Sequence, residues 1–159
     1  RLGGIRGGGV QEDARLSCGD GDVPELEIIS SPIIRSVLDF TKPVGLLLAA
    51  VLHFVADENG PAELVAELVD ALPSGSYLVA SHVTAEHNPA GSATGQRAYR
   101  SGGVTMRPRD SDEFAAIAFA GLELVEPGVV LVSEWRRPDT GPLPPANEVN
   151  AYGGVAGKP

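Results

Sequence analysis

Three histidines are present in the chain, and two of them stand at the ends of apolar runs. His53 follows the run Val44–Ala50, and His82 lies near the end of Tyr77–Val83. A neutral imidazole in such a place can accept a proton near pH 7. His53 is therefore the first candidate to line a ligand site, ahead of His82 and then His87. The plainer reading gives each ring a loop carbonyl as its partner. Asp57 and Glu58 read as helix-start charges favoured by the macrodipole rather than as catalytic carboxylates. Several familiar chemistries lack their residues: the chain has no G-x-S-x-G pentapeptide and no Walker A sequence. His82 and His87 are five apart, which does not match the spacing of a zincin helix. The lone Cys18 excludes both an intramolecular disulfide and a cysteine zinc site.

The elements that must position these residues lie between Val44 and Val83. Val44–Ala50 is an unbroken apolar run, too short for a membrane span and suited to a central parallel strand. Asp57-Glu-Asn-Gly60 breaks the chain, and Pro61 suits a first helical position. Leu64, Leu68 and Leu72 then recur at four-residue spacing, with Val65 and Val69 beside them, and Glu63, Glu67 and Asp70 take the other side. Pro73-Ser-Gly75 ends this helix, and Tyr77–Val83 is a second buried run. The whole predicts a right-handed βαβ unit with both strands ending on one edge of the sheet. Ligands of such sheets sit outside the carboxyl ends of the strands, here Val51–Phe54 and Ser81–Thr84.

The whole chain of 159 residues is one domain's worth, with 43% hydrophobic and only 5% aromatic residues, which predicts a Leu/Val/Ala core. A net charge of −9 argues against a nucleic-acid surface, and the pairs Arg97/Arg100, Arg107/Arg109 and Arg136/Arg137 read as solvated loop charges. No apolar segment is long enough to span a membrane and no signal-peptide core is evident, so a cytoplasmic location is the expectation. Residues 1–22 read as a glycine-rich leader, since the glycines have neither the preceding strand nor the following helix that a phosphate loop requires. Residues 23–159 form the folded part. Gly19-Asp-Gly-Asp22 is turn chemistry by spacing alone. A helix is expected from Ser31-Pro32, a loop or irregular helix over residues 85–103, and a capped helix from Asp110 with Glu113. Strands follow at Leu122–Val125, Val129–Trp135 and Ala151–Ala156, with a Pro-rich connection between the last two.

The stretch VLHFVADENGPAELVAELVDALPSGSYLVASH resembles the fourth-to-fifth-strand region of class I S-adenosylmethionine-dependent methyltransferases. More narrowly, DFTKPVGLLLAAVLHFV, DALPSGSYLVASH, GLELVEPGVV and the closing AYGGVAGKP resemble a bacterial S-adenosyl methyltransferase family once classed as a domain of unknown function. The resemblance implies an α/β, Rossmann-like sheet whose last strand runs antiparallel. It implies S-adenosyl-L-methionine as cofactor, with Asp20 near the adenine and Ala50, Val51 and His53 following strand four. It also implies a small-molecule methyl acceptor. Family members begin with a strand, a glycine-rich loop, a helix and a second acid-tipped strand, and none of these is evident here. The chain therefore resembles the carboxyl half of such a domain, with an open sheet edge through which it could self-associate. Two other readings remain at this point: a non-catalytic Rossmann-like remnant or interaction module, and, at fold level alone, a nucleotide-binding oxidoreductase.

Overall fold

The computed structural model describes Ile29, residues 31–137 and residues 141–159. The leader 1–22, and Asp20 with it, lies outside the described residues. Helix α1 (Pro32–Val37) starts at its proline, as the Ser-Pro signal predicts. Strand β1 (Gly45–Ala49) and strand β2 (Tyr77–Val83) pair in parallel, Gly45 opposite Tyr77 and Ala49 opposite Ser81. Helix α2 (Pro61–Asp70) joins them. The predicted βαβ unit is present, with its elements near their expected bounds.

Helix α2 buries Pro61, Val65 and Val69, with Leu72 just beyond it, so the inward stripe runs one residue off the expected leucine row. Its last carbonyls are held by a residue far along the chain. Lys158 Nζ donates to the carbonyls of Val69, Asp70 and Leu72 at 2.9, 3.1 and 2.8 Å, covering acceptors that a helix end leaves without partners.

Beyond β2 come helix α3 (Pro89–Ser101), helix α4 (Ser111–Ala118), the short strands β3 (Glu123–Leu124) and β4 (Val130–Leu131), and strand β5 (Ala151–Gly157). Strand order is β1-β2-β5-β3, with β4 also on β5. The final strand runs antiparallel to both neighbours, pairing Val83 with Ala151 and Tyr77 with Gly157. This is the antiparallel last strand that the resemblance implies. Its glycine at 154 is required by close approach. A Cβ there would lie 2.9 Å from the Phe119 ring, closer than carbon atoms pack.

Four expectations need correction. Residues 85–103 hold a regular 13-residue helix, because Asn88 caps it by accepting from the Gly91 N–H and Pro89 opens it; these outweigh the glycines inside. The strand expected at Val129–Trp135 is paired only at Val130–Leu131 and then turns away. The core is largely Leu, Val and Ala, yet Phe114, Phe119 and Tyr152 sit within it, and Phe114 is fully buried. Finally, β1 is not a central strand among the described residues. It pairs with β2 alone, and only Leu46 and Leu48 pack towards the core while Leu47 is exposed. Likewise Leu78, Ala80 and His82 of β2 are buried, whereas Tyr77 and Val79 face outwards. Both strands are thus covered on one face, where α2 packs beside α4.

Candidate functional site

The carboxyl end of β1 bends sharply into a one-turn helix at Leu52–Phe54. Ala50 makes the bend in a left-handed conformation, φ +53°, which costs a residue with a Cβ roughly 1–2 kcal/mol. Its N–H is held from β2 by the carbonyl and the Oγ of Ser81, at 3.2 and 3.0 Å. Ala50 and Val51 are exposed, while His53 turns inward and keeps only 3% of its surface. Of the expected cofactor residues, then, Ala50 and Val51 form an open shelf and His53 lies behind it.

Behind that shelf is a buried polar network centred on Arg109, which retains 2% exposure. Its Nη1 donates to the Leu52 carbonyl at 3.2 Å and to His82 Nε2 at 3.0 Å. Its Nη2 donates to the Val55 carbonyl at 2.9 Å and to Asp57 Oδ1 at 2.6 Å, and Nε reaches the same oxygen at 3.2 Å. One guanidinium therefore ties the whole turn after β1 to the end of β2. Arg107 extends the network outward, donating to Asp57 Oδ2 and Glu113 Oε1, both at 3.0 Å, while its backbone N–H holds the His53 carbonyl at 2.8 Å. Hydrogen bonds from Arg109 and then Arg107 hold the Asp57 carboxyl below its ordinary pKa.

The protonation of His82 follows from chemistry. A guanidinium only donates, so His82 Nε2 accepts, and Nδ1 must carry the proton it gives to the Val83 carbonyl at 2.8 Å. Burial, with the positive Arg109 and the neighbouring His53 in support, lowers the His82 pKa from 6.5 to about 4. Burial and then Arg109 lower the His53 pKa too. The two rings meet edge-on at 5.7 Å, and His53 Nδ1 has no hydrogen-bond partner. Both imidazoles are neutral at pH 7.

A second polar group sits past β2. His87 Nε2 lies 3.0 Å from the Tyr152 hydroxyl, and burial with a hydrogen bond to Glu86 pushes the Tyr152 pKa up to about 12. Glu86 also accepts from the Ser111 N–H at the start of α4.

Sequence reasoning named His53 and His82 but misread their surroundings. Arg109 is a buried clamp rather than a solvated loop charge, because the turn after β1 offers it two carbonyls and a carboxylate. Asp57 and Glu58 open a one-turn 3-10 helix, Asp57–Asn59, as helix-start charges, and Asp57 serves the clamp as well; the acidic residue in the first turn of α2 itself is Glu63. No local signal marks a contact between residues 52 apart. Among the described residues, no three His, Cys, Asp or Glu side chains converge on a metal position. No described helix is long and apolar enough to cross a membrane. A cavity of about 300 Å³ lies elsewhere, between α2 and the segment after α4, lined by Val65, Val69, Ala118, Leu122 and Lys158. Lys158 bonds Ser76, at the amino end of β2, so this cavity is remote from the shelf.

The backbone defines a class. Strands β1, β2 and β3 progress in one direction from β1, with the crossover helix α2 between the first two, as one half of a doubly wound Rossmann-like α/β sheet does. In either half of such a sheet the first strand stands at the topological switch point, outside whose carboxyl end ligands bind. The chain belongs to the S-adenosyl methyltransferase family, whose sequence model matches residues 11–159. S-adenosyl-L-methionine is thereby the cofactor of the family. Among solved structures, a DUF574 family protein from Streptomyces avermitilis is similar at 40% identity and a TM-score of 0.78, covering 85% of this chain and 52% of that one. A protein from Thermobifida fusca assigned as a methyltransferase is similar at 28% identity and a TM-score of 0.73, covering 84% of this chain and 50% of that one. The chain spans about half the length of each. No protein of curated function matches it.

Proposed function

We propose that residues 23–159 contribute the second half of an S-adenosylmethionine-dependent methyltransferase site, with the cofactor against Ala50 and Val51 and its adenine close to Asp20. The observation that carries this reading is the exposed left-handed turn at the carboxyl end of β1, where a doubly wound sheet binds its ligand. The residues present fit the group in part. Ala50 and Val51 offer a flat, uncharged surface suited to an adenine or a thioether, and the Ser81 bonds fix the backbone of that surface. Bound there, the cofactor supplies an electrophilic sulfonium methyl. Arg109 keeps the shelf in register with β2, and neutral His53 and His82 keep added positive charge away from the sulfonium. The acceptor is a small molecule held close to the methyl group, so proximity carries most of the rate. The chain acts in the cytoplasm, and its acidic balance disfavours nucleic acid as substrate.

Calorimetric titration with S-adenosylhomocysteine tests the reading. Binding that Asp20→Ala weakens more than His87→Ala does is the expected result. Equal effects count against the assigned edge. Absence of binding, both to the chain alone and with a complementary half-sheet present, leaves a non-catalytic Rossmann-like module as the better description.

A further inference from the structure

The cavity remote from the shelf is a slot between two walls of small residues. It runs along α2, and its opposite wall is the end of α4 with the chain just beyond it. Ala62 and Ala66 share one face of α2 at four-residue spacing, and Ala118, Ala120 and Gly121 line the other side. None of these side chains extends past a methyl group, which leaves about 300 Å³ between helices that otherwise pack. A Cβ added at Gly121 would meet no atom within 4 Å. The rest of the lining is mostly apolar, with Val65 and Val69 only 3% and 8% exposed. Walls of alanine and glycine are shallow, so the shape suits a flat ring better than a branched chain.

Charged side chains enter the lining at Lys158 and Asp70. Lys158 has no donor to spare, because its three N–H groups already serve the carbonyls of Val69, Asp70 and Leu72. An anion would thus meet the Asp70 carboxylate and gain no hydrogen bond from the ammonium, while a cation would meet the ammonium. The Asp70 carboxylate only accepts, so the polar group it rewards is a neutral N–H or O–H. Apolar cavities stay dry and take up benzene-like molecules, and this volume lies at the lower end of the range of ligand pockets. We propose that the slot is a binding site for a small, planar, uncharged aromatic molecule carrying one N–H or O–H, with its ring between Ala66 and the Ala118–Gly121 wall and its donor on Asp70. The site stands apart from the methyltransferase reading, since Lys158 bonds Ser76 at the amino end of β2, away from the shelf.

The test titrates the 159-residue chain with indole and follows the amide NMR signals. A Kd of about 0.1–1 mM is expected, with the largest shifts at Ala62, Ala66, Ala118 and Gly121. Ala66→Leu and, separately, Ala120→Leu fill the slot from opposite walls at exposed positions, where a larger side chain does not strain the core. Each should weaken indole about tenfold or more with an unchanged circular dichroism spectrum. Ala98→Leu, on α3, should leave binding as it is. 1-Methylindole lacks the N–H and should bind about threefold more weakly, and Asp70→Ala should remove that difference. Indole-3-carboxylate should bind about tenfold more weakly than indole. No saturable shift at the four slot residues, binding indifferent to both leucines, a methyl derivative equal to indole, or an anion bound as tightly as indole would each overturn the proposal.

Discussion

Acidification should loosen this fold well above the range where carboxylates titrate, and His82 is the reason. Its Nε2 accepts from the buried Arg109 guanidinium, and protonation would set two donors against each other 3.0 Å apart. Arg109 and Arg107 carry charge of the same sign as the added proton, the neutral His53 ring lies edge-on beside it, and Phe114 packs 5.3 Å away on the core side. The folded-state pKa of about 4 lies below the unfolded value of 6.5, so between the two the unfolded chain binds the extra proton. The contribution is complete above about 6.5 and is lost as pH falls towards about 4. At about 1.4 kcal/mol per pH unit, the full loss is about 3 kcal/mol, of which about 2 kcal/mol is gone by pH ~5. His53 is displaced in the same direction and adds to the slope. Urea unfolding at a series of pH values reads this as a midpoint falling by roughly 1 M between pH ~7 and ~5 at constant m-value. His82→Gln keeps an acceptor for Arg109 and removes the titration, so its midpoint should fall less over the same interval. An equal pH slope in wild type and His82→Gln, or a His82 ring titrating near 6.5 by NMR, would refute the reasoning.

Arg109→Met should cost about 3–5 kcal/mol, since it strands two carbonyls and His82 Nε2 inside the protein, whereas Arg107→Ala, at a half-exposed side chain, should cost less than about 1 kcal/mol; similar losses in urea unfolding would contradict the clamp. Gly154→Ala should destabilise by about 1–3 kcal/mol through the Phe119 ring, and Phe119→Leu in the same chain should recover part of that; a neutral Gly154→Ala would show the approach to be looser. Ala50→Gly should stabilise by up to about 1 kcal/mol by relieving the left-handed turn, and a lower thermal midpoint would mean that the turn is not strained. Asp110→Ala removes the capping box of α4 and should cost about 1 kcal/mol, more than Asp112→Ala in the same helix.

Order and type of most elements were legible in the sequence because they depend on neighbours. The run Val44–Ala50, the Gly-Pro helix start, the Pro-Ser-Gly stop and the Asp110/Glu113 box each act within a few residues, and each element formed where its signals stood. The exception, α3, shows the same rule: Asn88-Pro89 is a local start signal that outweighs the glycines inside the helix. The four family motifs added the antiparallel closing strand, which periodicity alone does not orient. Spacing also put His53 and His82 near one edge, but not in one network. Their meeting depends on Arg109, which reaches back past two helices and β2 to the turn after β1. Burial of a guanidinium follows from the carbonyls and carboxylate that happen to surround it in space, and no pattern along the chain records those. The same holds for β1. An apolar pentapeptide reads alike whether it is central or at an edge, since burial of both faces is a property of the strands and helices around it. Sequence by itself thus determined the βαβ unit, the caps and the family; tertiary structure decided which charges are buried, which histidines stay neutral and which face of each described strand is covered.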